Sequence, residues 1–141
     1  MISSFGIISL VASLISVCVL IFIYKILRRR NNLDEAYTQL DNTARNQLEA
    51  IFEAAETLPN CEEIRDNCET LSSYETRLLV KSLPKLRKSA PETENLSQAV
   101  SQTELAADNL NQKIDEYNAF SQTFPAKLML PILGLAQEKK V

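Results

Sequence analysis

The chain has 141 residues and, once an apolar stretch is set aside, room for one small domain of about 110 residues. Two glycines and five prolines favour long helices over turn-rich sheets, and the absence of histidine removes the commonest general base and metal ligand. The net charge of −3 conceals blocks, basic over 25–30 and 77–88 and acidic over 34–75 and 92–138, and the basic blocks lack the interleaved aromatics of a nucleic-acid surface.

The first element is a transmembrane helix over 5–27, whose only charge is Lys25. Residues 1–4 form a short external N-terminus. The charges Lys25, Arg28, Arg29 and Arg30 follow the apolar run instead of preceding it, which argues against a cleaved signal and places that flank in the cytoplasm of an inner-membrane protein. The protein is then single-pass, with 31–141 cytoplasmic and its three cysteines reduced. Gly6, Ser9, Ser13 and Ser16 line one face of the span and offer an oligomer seam, although serines also bond their own helix at i−4.

No glycine or proline separates Arg30 from Leu58, so the span continues as a helix over 31–58. Its apolar face is Leu33, Tyr37, Leu40, Ala44, Leu48, Ile51, Ala55 and Leu58, at helical spacing. Pro59 and Asn60 break it, with Asn60 a suitable N-cap for a second helix over 61–83. Ile64, Cys68, Leu71, Tyr74 and Leu78 carry that stripe. Cys61 and Cys68 stand about 10 Å apart on a helix, too far for a disulfide, and match no metal-ligand spacing.

The stretch 85–95, KLRKSAPETEN, reads as a connection, with Pro91 at or near N1 of a third helix over 91–124. Leu96, Val100, Thr103, Ala107, Leu110, Ile114 and Tyr117 share one side of it. The fold class is therefore all-α: an N-terminal transmembrane helix continuing into an antiparallel up-and-down bundle of three helices, with coiled-coil-like stripes, or four if the tail adds a short one.

Over 125–141 the chain becomes an apolar tail with two prolines. Three antiparallel passes put the end of the third helix far from the membrane, so the tail is expected to fold over the distal end of the bundle, with docking onto a partner the alternative. A membrane dip would need a fourth pass. The same geometry returns Arg77, Lys81, Lys85, Arg87 and Lys88 to the bilayer beside Lys25, Arg28, Arg29 and Arg30, a membrane-surface cluster for anionic lipid.

Tyr117-Asn118, then Thr123-Phe124-Pro125-Ala126, Leu128 and Gly134, resemble the closing motif of the LemA family. The segment LDEAYTQLD at 33–41 is similar to the opening of that family's first soluble helix. Lys127 stands where the family often has Asn and Leu135 where it often has Phe, as in a short, divergent member. The resemblance implies a helical-bundle domain on a membrane anchor, with Tyr117, Asn118, Phe124 and Pro125 as its motif and no activity to carry over.

With no nucleophile elbow, phosphate loop or metal spacing, the reading is non-enzymatic and without a cofactor. A scaffold or adaptor at the cytoplasmic face of the inner membrane, recruiting a protein partner, is expected. The alternative is an oligomerising membrane-surface or envelope-stress protein that works through its transmembrane face and basic cluster. The expected partners are membrane lipid, an unidentified protein and further copies of the chain through the span, and no nucleic acid.

Overall fold

The computed structural model describes residues 3–123, 126–135 and 137–141, with Met129 by its backbone alone. Phe124 and Pro125 of the LemA-like motif, the last residue of the expected third helix and the side chain of Met129 lie outside the described residues. Among the described residues the chain is all-helical: α1 (Ser4–Ala54), α2 (Cys61–Ser72), α3 (Thr76–Arg87), α4 (Glu94–Ser121) and α5 (Ala126–Ile132).

Helix α1 is unbroken for 51 residues and starts on a Ser3 side chain that accepts from the Gly6 N–H. Its first half is long and apolar enough to cross a membrane and is uncovered by the rest of the chain. Its second half has a buried face of Leu33, Ala36, Leu40, Ala44, Leu48 and Ile51, the spacing of one helical side. Helices α2, α3 and α4 lie against that face, and α5 packs at its start, on Ile26.

The second expected helix is two. A helix over 61–83 gives way to α2 and α3, separated at Ser73, Tyr74 and Glu75. Ser72 and Ser73 donate their hydroxyls back to the carbonyls of Glu69 and Thr70, and Arg45 of α1 donates to the carbonyls of Ser72 (2.8 Å) and Tyr74 (3.2 Å). The Arg45 bonds give the last carbonyls of α2 and of the break a partner from outside the helix, so the chain can turn there with those groups satisfied. The break also resets the stripe: Leu78 is exposed, while Leu79, Leu83 and Leu86 are buried. Helix α3 runs past Pro84 to Arg87, beyond the expected end at 83.

The fourth helix begins later than expected. Thr93 is the N-cap, accepting from the Leu96 N–H at 3.2 Å, so Pro91 precedes the cap and does not occupy N1. Asn60 is the residue before α2 as expected, though its side chain makes no capping bond.

The contacts fix the direction of each helix. Arg45 at the end of α2 and Asp41, which accepts from Thr76 (2.9 Å), show that α2 runs back along α1. Helix α3 then leaves from beside Tyr37 toward a core shared by Ile51, Ala55, Ile64, Leu86 and Leu96. Helix α4 returns the whole way, with Thr103 donating to the Thr43 carbonyl (3.2 Å) and Ile114 and Tyr117 packed on Ile26 and Leu33. The extra reversal changes where everything downstream lies. The tail sits beside the apolar half of α1, and the expectation of a distal tail is corrected.

Candidate functional site

Chemically diverse side chains converge where α4 ends, at the junction of the two halves of α1. Here the segment 137–141 lies outside any helix and is held along its backbone. Asn118 donates from Nδ2 to the Glu138 carbonyl (2.7 Å) and accepts at Oδ1 from the Glu138 N–H (3.0 Å). Asn111 does the same with Val141, donating at 3.3 Å and accepting at 2.8 Å. A carboxamide offers the same donor and acceptor pair as a peptide unit, so each asparagine stands in for a strand neighbour.

The spacing explains why two such rings form. Seven residues of helix advance about 10.5 Å, and three residues of extended chain about 10 Å, so Asn118 and Asn111 match positions 138 and 141. From the other side Arg77 of α3 donates to the carbonyls of Lys139 (2.8 Å) and Lys140 (3.2 Å), and also to the hydroxyl of Tyr37.

Side chains add polarity to the groove. Arg30 Nη1 lies 2.5 Å from Glu138 Oε1, an ion pair without the alignment of a hydrogen bond, and the Arg30 guanidinium stands 5.6 Å from the centre of the Tyr117 ring. Arg77 lies 3.7 Å from the other Glu138 oxygen. Lys140 pairs with Asp115 at 3.1 Å, and Gln137 donates to Ser121 at 3.4 Å. Burial works against the Arg30 cation, but Glu138 and Tyr117 outweigh it and its pKa is raised.

The residues of the expected membrane-surface cluster divide between two places. Lys25 stands over Phe22 (5.7 Å) and Arg29 over Phe120 (4.6 Å), while Arg28 is exposed beside them. Arg77 joins Arg30 through Glu138, but α3 runs away from that point. Arg87 and Lys88 line a groove with Glu92 and Leu96 near the far end of α1, Lys85 shares a surface with Asn67, and Lys81 is exposed. The reason is again the break at Ser73, which turns α3 outward. On the span, the hydroxyls of Ser13 and Ser16 donate to the carbonyls of Ser9 and Ala12, both at 2.9 Å, and Gly6 is half-buried beneath the Ser3 cap.

Of the LemA-like motif, Tyr117 is buried and Asn118 forms a clamp. Asn111, Asp115 and Glu138 escaped the sequence reading. The available signal was two asparagines at heptad spacing beside the stripe Leu110, Ile114 and Tyr117, which a search for catalytic or metal residues passes over. Among the described residues no cluster of acidic or thiol side chains is arranged to hold a metal ion. No protein-family model matches the chain, and comparison with curated proteins and with solved structures gives no match.

Proposed function

We propose that the protein is a single-pass adaptor at the cytoplasmic face of the inner membrane, anchored through 5–27, whose helical bundle recruits a protein partner through an extended segment of that partner. The observation that carries this reading is the pair of clamps made by Asn111 and Asn118. They grip peptide backbone, which every partner has, and leave Arg30, Arg77 and Asp115 to select charge. The resemblance of Tyr117 and Asn118 to the LemA motif supports a membrane-anchored bundle.

The chain's own segment 137–141 is held at a balance that allows exchange. Six hydrogen bonds to its backbone contribute about 0.5–1.5 kcal/mol each, against about 1–2 kcal/mol per residue to order five residues. These terms nearly cancel, so a second segment at modest concentration competes.

The test uses the protein in lipid nanodiscs. A fluorescent peptide with the sequence of 137–141 is expected to bind a variant lacking those residues and to bind the intact chain more weakly. Binding that survives Asn111→Ala with Asn118→Ala would remove the clamps, and with them this function.

A further inference from the structure

Apart from Lys127 in its first turn, helix α5 is made of apolar residues. Ala126 and Leu130 are buried against Ile26 and Tyr117, whereas Leu128 is 61% exposed and Ile132 82% exposed. Among its described side chains Lys127 carries the single charge. Apolar side chains on the outer face of a helix belong in a core or in lipid, and among the described residues none covers Leu128 and Ile132. Outside α1 and α5 the large exposed apolar residues among those described are Leu78 and Leu105, at separate places. Among the described residues the contiguous exposed apolar surface is therefore that of the apolar half of α1 and the helix beside it.

Between the two lies an open groove of about 560 Å³ walled by Leu14, Cys18 and Phe22 of α1 and Leu128, Ile132 and Leu133 of the tail. From Phe22 to Leu14 it follows about 12 Å of α1, deep into the uncharged stretch.

The backbone is prepared for the same surroundings. In hydrocarbon each exposed peptide group needs a partner within the chain. Gly134, at φ 72°, places α5 in a closing turn in which the Leu135 N–H reaches the Leu130 carbonyl (2.9 Å) and the Gly134 N–H the Pro131 carbonyl (3.2 Å). Pro131 has no N–H to satisfy, and the Lys127 N–H donates to the Thr123 carbonyl at 2.9 Å.

We propose that α5 lies in the hydrocarbon layer beside the span, so that the chain enters the membrane twice, once across it and once as a short hairpin turning at Gly134. The occupant of the apolar groove is lipid acyl chain. Lys127 reaches back to the headgroups, and the segment 137–141 climbs out along α4. This rests on the reading that 5–27 spans the membrane.

The sequence contains no tryptophan, so single tryptophans report depth without background. Full-length Leu128→Trp, Ile132→Trp, Val17→Trp and Leu105→Trp variants are placed in vesicles whose acyl chains carry bromine at defined depths. All four sites are exposed, so packing is preserved. Trp at 128, 132 and 17 is expected to be quenched with blue-shifted emission, and Trp at 105 to keep its full emission. If 17 is quenched while 128 and 132 behave like 105, the hairpin is overturned and the span stands. If 17 is not quenched, the spanning reading falls and the hairpin falls with it.

Discussion

Nη1 of Arg30 lies 2.5 Å from Oε1 of Glu138, so the basic flank of the apolar helix is tied directly to the extended segment 137–141. Both side chains retain some solvent, at 32% and 21% exposure, so a coupling of about 0.5–1 kcal/mol is expected from Arg30→Gln, Glu138→Gln and the double variant. Amide exchange at Val141 measures it. Strictly additive effects would mean that the two residues do not act as a pair.

The two asparagine rings are separable. Asn118→Ala should speed exchange of the Glu138 N–H more than that of Val141, and Asn111→Ala should do the reverse, because each removes one acceptor at 3.0 Å or 2.8 Å. Equal acceleration at both positions in either variant would show that the segment leaves as one piece.

Leu110 and Ile114 are fully buried where α4 packs on α1. Leu110→Ala is expected to cost about 2–5 kcal/mol, and Leu105→Ala, at an exposed position of the same helix, within about 0.5 kcal/mol. Denaturant unfolding of the nanodisc-embedded protein compares them.

The three thiols are in different settings. Burial raises the pKa of Cys68 and keeps its reactive thiolate scarce, while Cys61 is half-buried. If the proposed cytoplasmic orientation holds, an impermeant maleimide is expected to leave both unmodified in intact cells. After permeabilisation Cys61 reacts, and Cys68 follows only on denaturation. Labelling of Cys61 in intact cells would invert the topology.

The basic residues now divide by position. Replacing Lys81, Lys85, Arg87 and Lys88 with Gln should leave the preference of the embedded protein for anionic over neutral lipid nearly unchanged, because α3 carries them away from the apolar half of α1. Replacing Arg28 and Arg29 should weaken it, on the order of 1 kcal/mol per charge removed. A large loss from the first set, read as enrichment of labelled anionic lipid around the protein in mixed nanodiscs, would require a different course for α3.

Much of the helical pattern was legible because a single property specifies it. The stripe Leu33, Leu40, Ala44, Leu48 and Ile51 is buried as its spacing predicts, and Pro59 ends the pattern near the observed end of α1. The division between α2 and α3 was not legible, since Ser72, Ser73, Tyr74 and Glu75 include no glycine or proline. What stabilises that break is Arg45, 27 residues upstream of Ser72, and a bond of that separation leaves no local mark. One unseen reversal then moved the tail from one end of α1 to the other. The clamps were hidden for a related reason, because an asparagine on a polar helix flank looks solvated until an extended segment comes to lie beside it.

Helix α1 has neither a glycine nor a proline between its apolar half and its packed half, so the two share one torsional phase. A residue inserted at position 28 would turn the packed helices by about 100° relative to the face of α1 that α5 walls. Helix α5 rests on Ile26 below that point, and Arg30 holds Glu138 above it. A turn of the apolar half is therefore carried into the packed half and to Arg30 beside segment 137–141, with no glycine or proline in between to absorb it.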